Sequence, residues 1–127
     1  MAKPEFWHER TRPENRTKAF ALEVIEFWEK LPKDEIGKTL GRQLLRSGTS
    51  VAANYRAVCR AKSTPDFLSK FSNVLEEADE SAFWIELLID SGKAARSEAK
   101  AIFEEASKLV AICVSSINTT RRNSVES

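Results

Sequence analysis

Ser63-Thr64-Pro65-Asp66-Phe67-Leu68-Ser69-Lys70-Phe71-Ser72-Asn73-Val74-Leu75-Glu76-Glu77-Ala78 decides the fold. Its opening stops one helix and starts another. Thr64 reads as an N-cap, Pro65 as the first helical residue, and Asp66 suits the positive end of a helix. Phe67, Phe71, Val74 and Ala78 then recur at the spacing of one buried helical stripe. No strand alternation competes with it.

The same punctuation continues in both directions. Downstream, the third helix runs to about Ser91, with Gly92 placed as its C′ residue. Ser97 is expected to cap a fourth helix whose face carries Ile102, Ala106, Leu109 and Cys113, with Val110 and Ile117 beside it. Upstream, Asp34 caps a second helix to about Lys62, with Ile36, Leu40, Leu44, Val51, Tyr55 and Val58 on its apolar face. Pro13 opens a first helix, Phe20, Val24, Phe27 and Leu31 form its stripe, Ala21 and Trp28 widen it, and Pro32 ends it. Four amphipathic helices with short connections predict an all-α, antiparallel four-helix bundle. Residues 1–12 read as an N-terminal extension, 13–118 as the bundle and 119–127 as a flexible tail.

Composition agrees with a single domain. A chain of 127 residues is too short to divide into two buried cores. Four Gly and four Pro are too few for the many turns of an all-β fold. No apolar run approaches the ~20 residues that span a bilayer, and the polar N-terminus is unlike a signal peptide. Cys59 and Cys113, within helical patterns and far apart, read as reduced core thiols of a cytoplasmic protein. The single histidine, His8, leaves no His-based metal site or Ser-His and Cys-His catalysis to expect. No cofactor motif occurs: there is no Gly-rich phosphate loop and no Cys-x-x-Cys.

Three features ask for partners. Gly37, Gly41 and Gly48 share the apolar face of the second helix, where each costs roughly 1 kcal/mol relative to Ala, so close approach of another helix is expected there. In Phe83-Trp84-Ile85-Glu86-Leu87-Leu88-Ile89 six residues are apolar, so that turn is hydrophobic all round. Phe83, Trp84, Leu87 and Leu88 are therefore the expected oligomer interface; cover by Phe6-Trp7, or by packing within the chain, is the alternative. Charge is also divided. Residues 34–62 carry net +4 and residues 65–90 net −6, although the chain as a whole is +1. Lys38, Arg42, Arg56 and Arg60 share one outward face, a stripe able to track phosphates or an acidic partner. A solvated stripe, or one paired with a neighbour's Glu76 and Glu80, is the alternative.

Arg46, Ser50 and Asn54 climb one flank of the second helix at intervals of four. A polar ladder at a core edge is expected to fix helix register through hydrogen bonds. Either Asp79 and Glu86 or Glu77 on the third helix could satisfy the arginine; a ligand site is the other reading. The cluster Glu76, Glu77, Asp79 and Glu80 raises the alternative of a divalent-metal-dependent enzyme such as a weak nuclease. The Glu-x-x-His motifs of di-iron bundles are missing, so a solvated or salt-bridged cluster is the plainer reading.

The run Gly41-Arg42-Gln43-Leu44-Leu45-Arg46-Ser47-Gly48-Thr49-Ser50-Val51-Ala52-Ala53-Asn54-Tyr55-Arg56-Ala57, followed by Glu76-Glu77-Ala78-Asp79-Glu80-Ser81 and Phe83-Trp84-Ile85-Glu86-Leu87-Leu88, resembles the four-helix bundle family related to the 23S rRNA intervening-sequence protein. The resemblance covers roughly Thr17 to Asn118. It implies an up-down-up-down bundle that assembles into a ring-like homopentamer, without an established enzymatic activity. The accessory variability protein of diversity-generating retroelements looks similar in fold and is a basic, nucleic-acid-binding pentamer; this nearly neutral chain departs from it. The expectation is a non-enzymatic homo-oligomer that serves RNA, DNA, ribonucleoprotein or protein partners.

Overall fold

Local signals set the helix ends. In the computed structural model, which describes residues 12–126, α1 spans Pro13–Glu29, α2 Glu35–Val58, α3 Thr64–Asp90 and α4 Arg96–Glu126. Pro13 stands in the first turn of α1. The Asp34 carboxylate caps α2 by accepting from the Gly37 N–H at 2.9 Å. Ser63, rather than Thr64, caps α3, its hydroxyl accepting from Asp66 N–H at 3.2 Å. One residue earlier suffices because Thr64 already has helical geometry. Gly92 takes φ +78 just after α3, and its N–H reaches the Ile89 carbonyl at 3.0 Å while Lys93 N–H reaches Leu88 at 2.8 Å. That paired geometry ends a helix with a left-handed residue, which glycine adopts without steric cost.

Other ends differ from expectation. α2 stops at Val58, with Cys59 as C-cap. α4 begins at Arg96, so Ser97 lies inside it and no serine caps it. It also continues to Glu126, past the expected end at Asn118. Polarity suggested fraying, yet no Gly or Pro follows Arg96 to stop the helix. The N-terminal extension, with Phe6, Trp7 and His8, lies outside the described residues.

Each helix packs on the next in the chain, most extensively α2 on α3, and α4 closes more lightly on α1. Connections this short make successive helices antiparallel, so the bundle is up-down-up-down. One core runs through it, from Phe20 and Val24 to Leu44 and Val51, Val74, Ile85 and Leu88, and Ala106 and Leu109. Fully burying a side chain such as Ile85 contributes roughly 1.5–3 kcal/mol. Tyr55, Phe67 and Phe71 meet edge to face, with centroids 5.7 and 5.3 Å apart. Ile36, in the first turn of α2, is 48% exposed and does not join the core.

The glycines permit the α1–α2 contact at two of their three positions. A Cβ on Gly48 would lie 2.7 Å from Val24 Cγ2, and one on Gly41 3.0 Å from Leu31 Cδ1. Gly37 is different: a Cβ there would strike the Pro32 carbonyl of its own entry turn, not another helix.

Candidate functional site

The outer surface of α2 and α3 holds the residues singled out above. Lys38, Arg42 and Arg56 on α2, and Arg60 in the turn just after it, are all exposed, and none forms an ion pair with any described residue. The stripe points away from the core because its members stand roughly 120–180° around the helix from Leu44 and Val51. On α3, Phe83 is 50% exposed and Leu87 half-buried. Trp84 is half-buried, packs on the core and meets Phe83 edge to face at 5.1 Å. Its Nε1 is buried without a hydrogen-bond partner among the described residues. Leu88 is not an interface residue: it is 0% exposed and belongs to the core. The apolar turn wraps the helix, and Leu88 falls on the side that faces inward. The surface that could meet another subunit is thus Phe83 and Leu87, with Trp84 behind them.

The polar ladder resolves into one ion-pair cluster. Arg46 Nη2 donates to Glu80 Oε1 at 2.9 Å, and its Nη1 stands 3.6 Å from Glu77 Oε1. Ser50 and Asn54 make no side-chain hydrogen bond with the described residues, and Asp79 and Glu86 are exposed without an ion partner. The expected network of Arg46, Ser50, Asn54, Glu77, Asp79 and Glu86 therefore does not form as a unit. The reason is angular: Asp79 and Glu86 turn away from α2, whereas Glu77 and Glu80 lie one turn apart on the flank that faces it. Burial raises the Glu77 pKa above the ordinary carboxylate range, with Arg46 pulling against it and Glu80 and Glu76 adding to it. The buried Oε1 has an ion partner yet no hydrogen bond at that distance.

A buried polar contact sits deeper. Ser47 and Ser81, both 0% exposed, share a hydrogen bond of 2.9 Å between their hydroxyls across α2 and α3. Ser81 also donates to the Glu77 carbonyl at 2.8 Å. Both serines stand inside the quoted motifs at core spacing, Ser47 between Leu44 and Val51 and Ser81 between Ala78 and Ile85. A small polar residue in an apolar stripe on each of two helices was the available signal. Arg16 and Glu105 offered none. They are far apart in the chain, yet they clasp α1 to α4 through bonds of 2.7 and 3.1 Å. Those bonds raise the Arg16 pKa, partial burial opposing.

The acidic cluster does not assemble a cation site. Glu77 and Glu80 turn to Arg46, Glu76 and Asp79 to solvent, and no three His, Cys, Asp or Glu side chains converge as metal ligands among the described residues. Nor do the thiols meet expectation fully. Cys113 is buried, but Cys59 is exposed at the end of α2, and both are free. No helix among the described residues is long and apolar enough to cross a membrane.

Two comparisons place these features among known proteins. The profile of the 23S rRNA-intervening sequence protein family matches residues 13–115. The fold is similar to the crystal structure of a protein of unknown function from the S23 ribosomal protein family of Bacteroides thetaiotaomicron. The two are 29% identical, with a TM-score of 0.78 over 84% of this chain and 98% of that one. No curated protein matches.

Proposed function

The chain belongs to the 23S rRNA-intervening sequence protein family, and from that premise we propose that it is a non-enzymatic homo-oligomer, a pentameric ring, that acts as an interaction module for ribonucleoprotein, RNA, DNA or protein partners. The observation that carries this reading is the pair of unpartnered outer faces on adjacent helices. Phe83 and Leu87 leave apolar surface uncovered on α3, and Lys38, Arg42, Arg56 and Arg60 leave charge unpaired by any described residue on α2 and the turn after it. The apolar face meets a second copy; the cations stay available to an anionic partner. Repetition around a ring multiplies weak contacts into useful avidity. The acidic cluster supports a structural role, since Glu77 and Glu80 already serve Arg46.

Light scattering on the full chain tests the assembly. Wild type is expected to exceed the monomer mass, and Phe83→Arg with Leu87→Glu to lower it. These positions are better probes than Trp84, whose packing on the core would mix unfolding with dissociation. A monomeric wild type refutes self-association, and an assembly untouched by both changes refutes the α3 face as its site.

A further inference from the structure

The neutral total conceals a second partition, from end to end of the bundle. Antiparallel order brings the start of α1, the end of α2, the start of α3 and the end of α4 together. That end carries Lys18, Arg56, Arg60, Lys62, Arg121 and Arg122, all exposed. None of them is ion-paired to a described carboxylate; Glu14 pairs with Arg12 at 3.4 Å and Asp66 with Lys70 at 2.8 Å. Arg122 donates only to the Thr119 hydroxyl, at 3.5 Å. The opposite end is balanced instead, with Glu26, Glu29, Asp34, Glu35, Asp90 and Glu98 set against Lys30, Lys33, Lys38, Lys93, Arg96 and Lys100, and Asp34 held by Lys93.

Continuation of α4 creates this arrangement. Thr120 shares the wall of an open hollow of about 640 Å³ with Tyr55, Cys59, Lys62, Ser63 and Thr64, which brings the end of α4 level with the α2–α3 turn; Arg121 and Arg122 are the next residues of that helix, both exposed. A second hollow of about 460 Å³ brings Lys18 of α1 and Arg56 of α2 to one rim. We infer that this end of the bundle is a sequence-independent docking surface for the phosphate backbone of a nucleic acid. The inference rests on the reading of the chain as a binding module, and moves the main contact from the length of α2 to the tip.

The chemistry fits phosphate. Four of the six cations are arginines, whose planar forks bind phosphate oxygens in pairs, and Ser63, Thr64, Thr119 and Thr120 add hydroxyl donors around them. Cations spread over three helices and a turn suit a polymer that presents a charge every few ångströms. A membrane surface fits less well. The exposed large apolar side chains at this end, among the described residues, are Val114 and Val125, eleven residues apart on α4, and interfacial helices need a whole apolar face. Arg42 and Lys38 stand roughly 20 and 27 Å from Arg56 toward the start of α2, so tip and stripe can be separated by substitution.

Fluorescence anisotropy with labelled single-stranded RNA and duplex DNA, at two salt concentrations, tests this on the full chain. Arg121→Glu with Arg122→Glu is expected to weaken binding about tenfold or more and to lower the salt slope by about 2. Arg56→Glu with Arg60→Glu should do the same, while Lys38→Glu with Arg42→Glu changes affinity less than threefold. Circular dichroism checks that each variant keeps its helices, and Arg121→Gln with Arg122→Gln gives a milder loss in the same direction. Equal loss from the Lys38 and Arg42 variant overturns the tip and leaves the binding-module reading intact. Wild-type binding as tight to anionic vesicles or polyglutamate as to nucleic acid overturns the choice of partner. No binding at low salt overturns the inference, while light scattering on the same samples decides the oligomer separately.

Discussion

Replacing Gly48 by Ala tests how α1 and α2 meet. The new Cβ would lie 2.7 Å from Val24 Cγ2, 2.9 Å from Cγ1 and 3.1 Å from Cβ. Those distances are too short to persist. Val24 is fully buried and β-branched, and in a helix it has one strongly favoured rotamer, so relief must come from movement of α1 itself. Overpacking of this kind costs about 1–3 kcal/mol. Helix propensity returns about 1 kcal/mol, since Ala replaces Gly in a helix interior. The immovable neighbour places the cost in the upper part of its range, giving a net loss of about 1–2 kcal/mol. Urea denaturation followed by circular dichroism, at one protein concentration so that assembly does not distort the comparison, measures it. Val24→Ala alone should cost about 2 kcal/mol by opening a cavity. The double variant should lose less than the sum by about 1–3 kcal/mol, because the added methyl occupies the space the valine leaves. Gly41→Ala is the internal control. Its Cβ meets the ends of Leu31 and Trp28 at 3.0 and 3.2 Å, and those side chains can turn aside. Additivity of the Gly48 and Val24 changes within about 0.5 kcal/mol, or a stabilised Gly48→Ala, would refute the reasoning.

Ser47→Ala or Ser81→Ala should each cost about 1 kcal/mol by removing the bond between α2 and α3 and leaving the other hydroxyl only its own-helix carbonyl, while the double variant costs little more than one single; strict additivity in denaturation would count against the paired bond. Burial drives the Cys113 thiol up to about 11, so a thiol reagent at mildly alkaline pH should modify the exposed Cys59 first and reach Cys113 only on unfolding; equal rates by mass spectrometry would contradict this. Glu77 binds its proton more tightly folded than unfolded, so its contribution to stability is full below the ordinary carboxylate range and is lost as pH rises through the raised folded value. Glu77→Gln should remove that fall from the stability–pH curve; an unchanged curve would show that Arg46 cancels burial, and loss of a rise with pH that Arg46 outweighs it.

The fold was legible to within a few residues, since caps, prolines and stripes act locally. Asp34, Pro13 and Gly92 do what their types allow wherever such a helix ends. Errors arose where a local signal had neighbours of similar strength. Thr64 and Ser63 can both cap, and a polar tail without a breaker can remain helical. The site was less legible. The outward stripe of Lys38, Arg42, Arg56 and Arg60 follows from angle alone, and exposure agrees with it. The partner of Arg46 does not follow from angle alone: of the expected Asp79, Glu86 and Glu77 only Glu77 is near it, and the interhelical register adds Glu80, which was not expected.

By itself, then, the amino-acid order determined what each helix is: its ends, its buried stripe and the sign of its outer charge, all properties of residues within a few turns of one another. Tertiary structure decided what meets what. It paired Ser47 with Ser81 and Arg16 with Glu105, it turned Leu88 inward and left Phe83 out, and it collected the cations of α1, α2 and α4 at one end. The physical reason is register. A periodic stripe says which side of a helix is buried, but it is nearly unchanged by sliding one turn along its neighbour, so only packing of the whole core selects which turn faces which.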